Sequence, residues 1–159
     1  MSTTVAPFAA QSSTGPRLVT PTGDHAVVMA NTQRTNGSLT VIELVNKPKN
    51  GPPLHRHVHD DEVWYVLEGE YRFQAGDATF RVSEGGMAFG PRGVPHAFQN
   101  VGDAVARLLV VTTPAGAEQY FEDFAKLPPG PIDPEALAAL ALASGIELLG
   151  PPLGVSDPL

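Results

Sequence analysis

The sequence predicts an all-β barrel or sandwich followed by C-terminal helices. Three observations carry this expectation. Between Arg17 and Thr113, short apolar-rich stretches recur, each closed by turn-forming residues. Within them apolar and polar residues alternate: Tyr71 and Phe73 share one face and Arg72 and Gln74 the other, while Phe80 and Val82 oppose Thr79 and Arg81. One apolar and one polar face per strand is what an antiparallel sheet packed on a core requires. Beyond Pro114 the apolar period becomes helical.

Taken in order, residues 1–16 read as an N-terminal arm, rich in Ser, Thr and Ala and closed by Gly15-Pro16. The barrel is expected over 17–114. Its strands are placed at 18–20, 25–30, 39–45, 54–58, 63–68, 71–75, 79–82, 87–89, 96–99 and 105–113. Asn36-Gly37, Glu68-Gly69, Gly76-Asp77, Glu84-Gly85-Gly86 and Gly102-Asp103 supply the turns between them. The stretch 105–111 is more continuously apolar and is expected inside. Residues 115–159 are assigned to C-terminal helices and a Pro-rich tail. Tyr120, Phe121, Phe124 and Leu127 give 118–127 one apolar side, and Pro128-Pro129-Gly130-Pro131 stops it. Asp133 then offers an N-cap, Pro134 a first helical residue and Glu135 a charge suited to the positive dipole end, opening a second helix over 135–144. Residues 146–149 and the tail read as packing, a lid or a dimer element, with nothing resembling catalytic machinery.

Bulk properties narrow the function. A chain of 159 residues is a prior for one domain, burying roughly 70% of the surface it exposes unfolded. It has no cysteine, so disulfides and thiolate ligands are excluded and any metal must be held by His, Asp or Glu. The net charge of −7 and the lack of a basic cluster make nucleic acid and anionic membrane poor partners. No stretch has signal-peptide or membrane-spanning character, which makes a soluble, cytoplasmic protein the expectation.

The chemistry concentrates in two segments. In Pro53-Leu54-His55-Arg56-His57-Val58-His59-Asp60-Asp61-Glu62, His55 and His57 are two apart, so a strand projects both imidazoles from one face. Glu62 follows across a short polar connection, and an apolar run then ends at Glu68-Gly69. Downstream lie Gly85 and Pro91-Arg92-Gly93-Val94-Pro95-His96-Ala97-Phe98-Gln99-Asn100. Three imidazoles and a carboxylate form a nitrogen/oxygen set suited to a divalent first-row transition metal.

On these residues the chain resembles the cupin superfamily. His55-x-His57, four residues, Glu62, six residues and Gly69 fill the first cupin motif. Gly85, Pro91, Gly93, His96 and Asn100 fill the second. One departure is that Gly51 is separated from His55 by three residues where the motif has five. Shifting the register to His57 and His59 restores that spacing but brings Glu62 two residues too close, which leaves His59 as a rival to His55. The resemblance implies a double-stranded β-helix, or jelly-roll barrel. It also implies a divalent metal (Fe, Mn, Ni, Co or Zn) on His55, His57, Glu62 and His96. Asp60 and Asp61 are read as surface acids. Strand parity from Glu62 points Trp64 and Val66 inward, and parity from His96 does so for Phe98; the three are read as barrel packing first and as candidate substrate-pocket walls second.

Pro-Pro-Leu-His-Arg-His, Trp-Tyr-Val-Leu-Glu-Gly-Glu and the Thr-Pro-Ala-Gly and Gln-Tyr-Phe segment look most like quercetin 2,3-dioxygenase-type cupins. That resemblance implies a metal-dependent dioxygenase acting on an aromatic or flavonol-like small molecule, with Glu62 as ligand and catalytic base. The alternatives on the same site are a lyase, isomerase, dehydratase or decarboxylase, or a non-catalytic small-molecule binder, because the barrel hosts many activities. A homodimer is the expected assembly.

Overall fold

The alternating strands build two facing antiparallel sheets in the computed structural model, which describes residues 4–159. The elements are β1 (Arg17–Val19), β2 (His25–Ala30), α1 (Thr32–Thr35), β3 (Thr40–Asn46), β4 (Pro53–His57), β5 (Asp61–Glu68), β6 (Glu70–Ala75) and β7 (Ala78–Ser83). They continue as β8 (Met87–Gly90), β9 (His96–Asn100), β10 (Ala106–Thr113), α2 (Glu118–Phe124), α3 (Pro134–Ala143), β11 (Ile146–Pro152) and α4 (Leu153–Ser156). One sheet runs β1-β2-β3-β10-β5-β8 and the other β11-β4-β9-β6-β7. This is the expected double-stranded β-helix.

Between the sheets lies one apolar core. Trp64, Val66, Tyr71, Phe73, Phe98, Ile42 and Leu108 are buried there, contributed by strands of both sheets. Each inward row is the apolar half of an alternation. On β10 the buried residues are Ala106, Leu108, Val110 and Thr112, with the intervening side chains partly exposed. The pattern fails on β7, the edge of its sheet, where Phe80 shares a face with its partner Phe73 yet remains 45% exposed. On the outer face of β5 and β8, Tyr65, Met87 and Phe89 are also exposed.

Two of the expected details change. The segment 146–152 is a strand of the barrel, not a tail: β11 pairs with β4, Ile146 opposite His57 and Leu148 opposite His55. Its Pro151 and Pro152 are tolerated because β11 is an edge strand. Arg72 pins the C-terminal residues beyond β11 to the barrel, donating to Asp157 Oδ2 (2.9 Å) and the Leu153 carbonyl (3.2 Å) while Gln99 Oε1 (2.7 Å) steadies its guanidinium. Asp133 stands at the start of α3 with Pro134 in its first turn, but its side chain makes no capping bond.

Glu118 ties α2 to the barrel. Its buried carboxylate accepts from the Thr32 N–H (2.7 Å), the Thr40 hydroxyl and the Gly116 N–H (3.1 Å). Burial alone raises such a carboxyl's pKa, but these donors outweigh it and hold Glu118 below the ordinary carboxylate range. A depressed folded pKa gives stability that is present above the unfolded value of 4.5 and lost as pH falls through the folded value. Glu118→Gln is therefore expected to lose about 1–3 kcal/mol at neutral pH, with the gap to the parent closing in acid. Denaturant melts at neutral pH and near about pH 3.5 check this; a gap that ignores pH removes the charge from the account.

Candidate metal centre

The sheet register brings the two sequence motifs together. β4 carries His55 and His57, and β9 places His96 directly opposite His55. Glu62 comes from β5 in the facing sheet, so the cluster bridges the two layers. A close backbone approach fixes β4 against β9: a Cβ on Gly51 would lie 2.0 Å from the Phe98 carbonyl oxygen, so only glycine fits. Gly93, at φ +77°, donates its N–H to the His57 carbonyl at 2.7 Å, which locks the second motif onto the first. Asp61 adds a clamp, its carboxylate accepting from Arg92 through both the backbone N–H and the guanidinium.

One ligand atom each from His55, His57, Glu62 and His96 lies within 4.8 Å of the others, and all four residues are buried. Glu62 Oε2 is 3.2 Å from His57 Nε2 and 3.0 Å from His96 Nε2. Donors about 2.1 Å from a common ion sit about 3.0–4.2 Å apart, and both Glu62 contacts fall in that range.

The far sides of the rings fit as well. Nδ1 of His55 meets the Pro53 carbonyl at 2.7 Å, that of His96 the Val94 carbonyl at 3.0 Å, and that of His57 the Asp60 carboxylate at 2.5 Å. Donation from an Nδ1–H to each of these acceptors is the tautomer that leaves Nε2 as a lone pair facing the centre, the arrangement metal-binding histidines need. Glu62 Oε2 and His96 Nε2 are buried and have no hydrogen-bond partner among the described residues, despite their proximity. A cation satisfies both.

The electrostatics agree. Burial, reinforced by the charge of His96 and His57, lowers His55 to about 3, so it is neutral. Burial also works against charge on His57, but the Glu62 and Asp60 carboxylates override it and raise the ring to about 10. Burial opposes ionisation of Glu62 too, yet the neighbouring His57 holds it well below the ordinary carboxylate range. The Glu62 and Asp60 carboxylates thus favour positive charge at this cluster.

The rival His59 stands outside the cluster, exposed and packed on Gly145. Asp60 is corrected from surface acid to buried partner of His57. Of the expected pocket walls, Phe98 lines the cavity beside the His/Glu cluster. Trp64 and Val66 point inward but lie in the core outside that lining; Trp64 packs edge-on against His96, ring centroids 5.0 Å apart. In their place stand residues to which the sequence pattern assigns no site role: Tyr120 and Phe121 from α2, and Ile146 and Leu148 from β11. The cavity measures about 70 Å³, and among the described residues lining it none is Lys or Arg.

The cupin domain family model matches residues 43–112. An uncharacterized protein of Methanocaldococcus jannaschii is 30% identical over 61 residues, covering 38% of this chain and 49% of that protein. The chain therefore spans about half the length of this curated relative. Among solved structures, KdgF from Halomonas sp. superimposes with a TM-score of 0.62 at 15% identity, covering 69% of this chain and 94% of its own. A predicted oxalate decarboxylase from Thermotoga maritima gives 0.61 at 19%, covering 67% and 99%. A sugar phosphate isomerase from a cupin superfamily, from Silicibacter pomeroyi, gives 0.57 at 21%, covering 67% and 76%. At these identities the likeness is one of fold. The chain thus carries a cupin-domain match over residues 43–112, less than half of its length, on a double-stranded β-helix.

Proposed function

We propose that this chain is a metal-dependent cupin enzyme of the dioxygenase type, acting on a small, apolar, hydroxylated molecule. The observation that carries the reading is the placement of the His55/His57/Glu62/His96 cluster against an apolar cavity. Ile42, Leu44, Phe98, Val110, Ile146 and Leu148 form the walls. An oxalate dianion or a sugar phosphate needs cationic groups beyond the metal, and the lining offers no Lys or Arg. An apolar molecule with one oxygen for the metal, and apolar dioxygen beside it, needs neither.

Size narrows the substrate. An engineered cavity of about 150 Å³ holds benzene, and this one measures about 70 Å³. It therefore takes the reactive end of a ligand, with a flavonol-sized body left in the mouth.

The residues divide the work. His55, His57 and His96 hold the cation through Nε2. When bound, the metal supplies Lewis-acid activation that lowers the pKa of a substrate hydroxyl. Glu62, ionised at neutral pH, accepts the released proton. The walls of α2 and β11 keep water from the reacting atoms.

The test is to load the protein with each candidate divalent metal and follow oxygen consumption over a panel of small phenols and enols. Metal-dependent uptake is expected. Conversion in the absence of oxygen replaces the reading with a lyase or isomerase, and saturable binding with no turnover replaces it with a binder. Glu62→Gln is expected to keep metal on the three imidazoles while turnover falls about 100-fold or more. Full activity in that variant excludes Glu62 as base.

A further inference from the structure

The inward row of β10 reads Ala106, Leu108, Val110 and Thr112, three apolar side chains and then a hydroxyl. Thr112 is 1% exposed and lines the cavity. Its register neighbours are Thr40 on β3 and Glu62 on β5. The hydroxyl of Thr40 is spoken for, since it donates to Glu118. Thr112 Oγ1 is buried and has no hydrogen-bond partner among the described residues. A buried hydroxyl left unpaired is destabilising, and valine has the same shape without that cost.

From this we infer that the Thr112 hydroxyl binds a second oxygen of the substrate, beside the one held at the metal. The inference rests on the proposed metal-dependent reading of the cavity. Directly opposed residues on one face of a sheet have Cβ atoms about 4.5–5.5 Å apart. The partner of Thr112 therefore lies next to whatever occupies the open side of the Glu62 cluster. A hydroxyl both donates and accepts, so the second oxygen is a hydroxyl or a carbonyl. The substrate class is a small apolar molecule carrying two oxygens on neighbouring carbons. In this cavity Thr112 is a specificity-determining contact, separating such molecules from analogues with a single oxygen.

The test uses the full chain loaded with Co(II), whose visible absorption reports ligands entering at the metal. Phenol and catechol are titrated into the parent, Thr112→Val and Thr112→Ser. Thr112→Val is expected to bind catechol about tenfold more weakly than the parent, with phenol affinity, Co(II) affinity and thermal stability undiminished. Thr112→Ser restores catechol binding. Equal catechol affinity in the parent and Thr112→Val overturns the proposal, as does failure of both phenols to bind a Co(II)-loaded parent. Should Thr112→Val fail to fold, the same comparison is read from Thr112→Ala against Thr112→Ser. Failure of Co(II) itself to bind is a different result, and it removes the metal-centre reading instead.

Discussion

His57→Ala is expected to abolish metal binding and activity while the barrel stays folded. Three features single out this ring among the histidines. Its Nε2 is 3.2 Å from Glu62, its Nδ1 is 2.5 Å from Asp60, and the two carboxylates together raise it to about 10. Removing it takes away a ligand and leaves two buried acids without their cation, so the loss of affinity must exceed what outer partners contribute. Those partners typically supply about 10–100-fold in metal affinity, and that range is the expectation for Asp60→Asn, which loosens the ring but keeps it. Elemental analysis after dialysis, with circular dichroism to confirm the fold, checks both variants. Metal retained by His57→Ala at the parent level defeats the ligand assignment. Equal losses in both variants would mean that orientation by Asp60, not the ring itself, governs binding.

The strands and the ligand cluster were legible because both are written in local periodicity. A two-residue repeat put His55 and His57 on one face, and the same parity set Glu62 in line with Trp64. Parity does not give depth along the barrel. Trp64 and Val66 point inward as expected, but in the core outside the cavity lining, whereas Phe98 lines the cavity. Asp60 was opaque for a different reason. In Asp60-Asp61-Glu62 the three acids look alike, and only tertiary contacts sort them: one orients His57, one clamps Arg92, one faces the centre. The short α1, Thr32–Thr35, held by the Asn31 side chain, is one turn long and below what helical periodicity can signal. β11 was hidden by its own prolines. Ile146 and Leu148 alternate with Glu147, yet Gly150-Pro151-Pro152 reads as a break, and pairing with a strand about ninety residues earlier leaves no local trace.

That hidden strand carries the second large effect. Ending the chain after Gly145 removes β11 and α4, and the truncated protein is expected to lose cooperative folding and metal together. Ile146 and Leu153 are buried and Leu148 is half-buried. At about 1.5–3 kcal/mol for each fully buried aliphatic side chain, their loss approaches the whole stability of a typical domain, about 5–15 kcal/mol. The truncation also strips the partner strand from β4, the strand that holds His55 and His57, and opens the cavity wall formed by Ile146 and Leu148. Arg72→Met separates the two consequences, because it keeps β11 while releasing the hydrogen bonds to Leu153 and Asp157. Thermal melts and metal content of the two variants should therefore diverge, with Arg72→Met less stable than the parent but still loaded and the truncation neither folded nor loaded. A truncated chain that melts cooperatively and keeps its metal would show that the first ten strands hold the centre unaided, and that β11 only covers it.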